Sequence, residues 1–124
     1  MTLLSKIADG YESGRYEWVQ GEYGDDKRYM VDNPERTPRF CPIGAIFALG
    51  SEWPDFMVAE RGLGEVVREL GYTNYYTYND APGRTLNEVL ETLRAADRRV
   101  TMRNPTICES ASYRAFQRAI PQIG

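Results

Sequence analysis

The sequence predicts a mainly helical α+β domain, a compact bundle of about five helices with a small β-hairpin in its N-terminal half. Three observations carry this reading. Apolar residues recur at helical spacing in five segments. Two capping-box patterns, Thr85…Glu88 and Thr106…Glu109, mark helix starts. Only one region, around residues 16–32, is rich in strand-forming residues flanking a turn. At 124 residues the chain is expected to form a single globular domain, 1–124, that buries roughly two-thirds of its extended surface.

The first helix rests on Leu3, Leu4, Ile7, Ala8 and Tyr11, with Thr2 or Ser5 as cap and Gly14 as stop. Residues 16–20 and 28–32 read as the two strands of a hairpin across the turn-rich stretch 21–27. Residues 33–38, with two prolines, form a loop. In the segment 40–50, Pro42 suits a first helical turn and Gly50 a position past the last. Cys41, Gly44, Ala45 and Ala48 strip one face to small residues, and Ile43, Ile46, Phe47 and Leu49 supply bulk. That pattern predicts a central buried helix with a close-packed neighbour.

Phe56, Ala59, Leu63, Val66, Val67 and Leu70 predict a fourth segment ended by Gly71, its middle weakened by Gly62 and Gly64, which leaves room for a break or two shorter helices. Four tyrosines between Tyr72 and Tyr78 precede a turn of Asn, Asp, Pro and Gly. Thr85 and Glu88 then cap a helix whose stripe is Leu86, Val89, Leu90, Leu93 and Ala96. Residues 99–103 read as a connector, and Ile107 to Ile120 as a final helix ended by Pro121.

The chain contains no histidine. This excludes Ser-His-Asp and Cys-His catalysis and every histidine-containing zinc motif. The two cysteines, Cys41 and Cys108, lack a C-x-x-C partner and read as a reduced pair. Asp25, Asp26 and Glu22 lack calcium-loop spacing, so neither a metal nor a cofactor is expected. No signal peptide or membrane-spanning run is evident, which points to the cytoplasm. Thirteen of the fifteen basic residues are arginines, the mark of a GC-rich genome. Charge is uneven, with an acidic first half and a mildly basic second half.

The segment Phe40-Cys41-Pro42-Ile43-Gly44-Ala45, combined with Tyr78-Asn79-Asp80-Ala81-Pro82-Gly83-Arg84-Thr85 and Glu88-Val89, resembles a family of small proteins of actinobacteria and their phages. Its members pair an aromatic-Cys-x-x-Gly-Ala helix with a W-N-D-x-x-x-R-T-x-x-E-V turn and helix. The resemblance spans roughly residues 3–96, with Tyr78 in place of the usual tryptophan. It implies lineage and a compact helical fold, and no reaction.

Two readings stand for each polar motif. Cys41 is either a nucleophile near a helix N-terminus, served by Asn79 and Asp80, or a small buried side chain. Asn79, Asp80 and Arg84 either grip a partner or build a capped turn. Arg94, Arg98, Arg99 and Arg103 form a basic cluster that could meet nucleic acid, although the pI near 5.0 argues against that. The leading expectation is a non-enzymatic protein that binds a host or phage protein. Its contact surface is placed at Tyr75, Tyr76, Tyr78, Asn79, Asp80 and Arg84.

Overall fold

In a computed structural model, residues 2–103 of the chain are described. The order is α1 (Leu3–Glu12), β1 (Glu17–Trp18), α2 (Lys27–Asp32), β2 (Arg39–Phe40), α3 (Pro42–Leu49), α4 (Phe56–Glu69), α5 (Tyr75–Asn79) and α6 (Leu86–Arg103). A single 3₁₀ turn at Gly50–Glu52 follows α3. The mainly helical α+β class is as expected. The second capping box, Cys108 and the final helix lie outside the described residues.

Helix α6 packs along both α4 and α1 and is the spine of the fold. Leu3, Leu4 and Ile7 of α1, Ile46 of α3, Leu63 and Val67 of α4, and Val89, Leu93 and Ala96 of α6 are all fully buried in one cluster. The caps act as the sequence indicates. Thr2 accepts from the Ser5 amide at 3.0 Å, and Thr85 and Glu88 cap each other reciprocally at 3.2 and 2.9 Å.

Four expectations need correction. Residues 28–32 are not a strand, because Asp26 accepts from the Tyr29 amide at 2.7 Å and starts helix α2 instead. No hairpin forms: β1 pairs in parallel with β2, with Trp18 opposite Phe40. Helix α4 is unbroken at Gly62, where the missing side chain admits α6. A Cβ there would stand 2.5 Å from Val100 Cγ2. The expected connector at 99–103 is the last turn of α6, held by buried Val100 and by Arg99 and Arg103, which pair with Glu65 and Glu69 of α4.

Candidate functional site

Both sequence motifs close on one segment, residues 17–24, from opposite sides. From below, Cys41 donates its amide to the Tyr23 carbonyl at 3.0 Å. Its Sγ accepts from the Gly44 amide at 3.3 Å, making Cys41 the N-cap of α3. Gly44 is required because a Cβ there would lie 1.9 Å from the Tyr23 carbonyl oxygen. The close-packed neighbour implied by the small-residue face is therefore a loop carbonyl. The helix is also not buried all round, since Phe47 stands 51% exposed beside that loop.

From the other side, Asn79 spends its whole hydrogen-bonding capacity on the fold. Its Oδ1 accepts from Trp18 Nε1 at 2.7 Å and from the Tyr75 hydroxyl at 2.9 Å. Its Nδ2 donates to the Val19 carbonyl and to Asp80 Oδ1, both at 3.1 Å. Gln20 Nε2 donates to the Asn79 carbonyl at 2.7 Å, and the Gly21 amide donates to Asp80 Oδ1 at 2.8 Å. A buried amide with every donor and acceptor engaged fixes its neighbours strongly.

Arg84 finishes this knot. Its Nε donates to the Tyr78 carbonyl at 2.9 Å and its Nη2 to the Tyr72 hydroxyl at 2.6 Å. Its guanidinium lies 3.9 Å from the Tyr78 ring centroid, and it pairs with Glu88 at 3.3 Å. Tyr78 in turn donates to or accepts from Thr92 at 2.6 Å. Of the six expected contact residues, Tyr75, Tyr78 and Asn79 are buried and the Arg84 side chain is only 10% exposed. These four serve the fold through hydrogen bonds and packing, and of them Asn79 also borders the cleft. Tyr76 and Asp80 are exposed.

The two exposed residues belong to a cleft of about 260 Å³ lined by Gly21, Glu22, Tyr23, Cys41, Tyr76, Asn79 and Asp80. The Tyr23 and Tyr76 rings stand nearly perpendicular, at 89° with centroids 5.7 Å apart, and their hydroxyls are hydrogen-bonded at 3.0 Å. That bond to Tyr23 is the main reason the Tyr76 hydroxyl is pushed up to about 12, which keeps Tyr76 a neutral phenol at physiological pH. Phe47 packs edge-on against Tyr23 at 5.9 Å, which extends the cleft wall into an exposed aromatic ridge.

In the sequence Tyr23 falls within the turn-rich stretch 21–27 and Phe47 within the segment expected as a buried helix, so neither stands out as a site residue. Phe47 lies three residues after Gly44, on the side where the loop sits, and that spacing becomes a signal only once Gly44 is known to seat Tyr23.

Nucleophilic chemistry gains nothing from this arrangement. Cys41 is 3% exposed, and burial, with a contribution from the Asp80 charge, raises its thiol above the ordinary value. A protonated thiol is a poor nucleophile. In the arginine cluster, Arg94 pairs with Asp9 at 2.7 Å and Glu12 at 2.8 Å. Arg99 and Arg103 are paired with α4, and of the four only Arg98 has no ion pair among the described residues. Among the described residues no group of three or more acidic or cysteine side chains could hold a metal, and no helix is long and apolar enough to cross a membrane.

No curated protein and no solved structure matches the chain. Residues 14–99 match a family of unknown function, DUF6197, a span that includes every residue of the cleft and of the knot behind it. The chain is a member of the DUF6197 family.

Proposed function

We propose that the protein is a non-enzymatic binding protein that docks a protein partner on the aromatic ridge of Tyr23, Phe47 and Tyr76. One observation carries the reading. The Tyr23 ring packs edge-on with both Phe47 and Tyr76 while the three remain 51%, 51% and 42% exposed, a contiguous exposed aromatic group. Grouped, exposed aromatics bordering a cleft are the composition of interface anchors. The arginine excess and the actinobacterial and phage resemblance support a host or phage protein as partner, met in the cytoplasm.

The test is quantitative capture from an actinobacterial lysate with the wild-type chain and a Tyr23→Ala/Tyr76→Ala variant of matched thermal stability. Partners retained by the wild type are expected to be lost by the variant. An unchanged set of retained proteins removes this surface from consideration. The rival cysteine chemistry is checked by iodoacetamide, with the modified residue mapped by mass. Cys41 is expected to react in the denatured chain and to resist in the native one, whereas rapid native labelling would revive a thiol mechanism.

A further inference from the structure

We infer that the cleft between Cys41 and Asp80 receives one cationic side chain, an arginine or lysine, of the protein partner; this deepens the docking role proposed above and rests on it. The size fits. Sites for whole small ligands run from about 300 to 1,000 Å³, whereas this cleft holds about 260 Å³, which suits the end of one long side chain.

The chemistry of the walls selects the charge. The Tyr23 and Tyr76 rings, edge to face at 89°, both line the cleft, and a ring face left open there attracts a cation. The rim carries two carboxylates in different states. Glu22 already bonds Arg39 at 2.8 Å, whereas no ion pair engages Asp80 among the described residues. Asp80 is nevertheless aimed. The Gly21 amide and Asn79 Nδ2 both hold its Oδ1, which orients the carboxylate and leaves Oδ2 without a hydrogen bond among the described residues.

Nor does Asp80 serve the helix it ends. It is the C-cap of α5, where a negative charge opposes the helix dipole. Cys41, the buried residue that also lines the cleft, offers no positive charge. An anionic or neutral occupant would strip water from Asp80 and return no counter-charge, whereas a guanidinium or ammonium compensates it directly.

The test is a ¹⁵N and aromatic NMR titration of the full chain with N-acetyl-arginine N-methylamide, N-acetyl-lysine N-methylamide and the neutral glutamine analogue, at low salt. The two cationic probes are expected to shift the Gly21 amide and the Tyr23 and Tyr76 ring signals, and the effect is expected to fade with added salt. Asp80→Asn preserves an acceptor for Gly21 and is expected to weaken binding at least about tenfold. Tyr76→Leu, which keeps bulk without the ring, weakens it as well.

Equal shifts from the glutamine analogue, or unchanged affinity in Asp80→Asn, would overturn the inference. Free arginine binding far more tightly than its blocked form would overturn the side-chain source and point to a free amino acid. Loss of partner capture in the tyrosine variant without any cation-induced shift overturns only this inference. Cation binding with capture intact overturns the docking role and leaves a cation site.

Discussion

Residues 75–80 divide between two regions of opposite physics. Tyr75, Tyr78 and Asn79 turn inward, their polar atoms bonded within the buried fold and those of Asn79 fully engaged, and Tyr76 and Asp80 turn outward to solvent. The inward set ties α5 to β1 and α6, so it fixes where the outward set stands. A motif that looks like one polar site is therefore a rigid support and a small exposed cleft. The difference teaches that the residues most entangled in bonds are the least available for a partner.

Removing the support should have the largest effect on stability. Asn79→Ala breaks the bonds to Trp18, Tyr75 and Val19 and strands their buried partners, and is expected to cost about 3 kcal/mol in urea unfolding. A cost below about 1 kcal/mol would mean that the knot does not hold β1. Arg84→Ala removes two part-buried hydrogen bonds and the stacking on Tyr78, for about 2 kcal/mol. Arg84→Lys should recover little of this, because an ammonium cannot serve the Tyr78 carbonyl and the Tyr72 hydroxyl while lying flat on the ring.

A second buried polar group sharpens the contrast by being incompletely served. Asp55 is 1% exposed; its Oδ2 accepts from the Leu3 amide at 3.1 Å, and its Oδ1 has no hydrogen-bond partner among the described residues. Burial, with a contribution from the charge of Asp97, raises its carboxyl above the usual range. A carboxyl raised on folding favours the folded state fully when protonated, below its unfolded pKa of about 3.9. That contribution is lost as pH rises through the raised folded value. Asp55→Asn, which keeps an acceptor for Leu3, is thus expected to stabilise the protein by about 1 kcal/mol at pH 7. The gain should disappear below about pH 4. Denaturation midpoints measured across that range check the sign. A gain that persists unchanged in acid would show that the ionised carboxylate is not its source.

The smallest effects belong to the exposed region. Tyr76→Phe removes only the exposed bond to Tyr23 and is expected to change stability by less than about 0.5 kcal/mol. A larger loss would place Tyr76 with the support and erase the distinction between the two regions.

Much of the helical frame was legible in the sequence because helical period and capping chemistry act over three or four residues. Thr85 with Glu88, and the stripe from Val89 to Ala96, needed no tertiary context. Two other decisions were not legible: which of two competing local signals wins, and which distant strand pairs with β1. Tyr29 and Val31 suit a strand, yet the local Asp26 cap made a helix, and the true partner of β1 came from beyond a proline-bearing loop. The candidate site was half legible for the same reason. Asp80 and Tyr76 sit in a recognisable motif, but Tyr23 and Phe47 join them only because Gly44 admits a backbone carbonyl from a distant loop.

The central claim is that binding resides in the exposed ridge and stability in the knot behind it. Affinity of a captured partner for Tyr23→Ala/Tyr76→Ala, measured beside its unfolding free energy, tests both halves together. The account predicts a loss of binding of at least about tenfold with stability lowered by less than about 1 kcal/mol. Wild-type affinity in a variant that remains folded would contradict it.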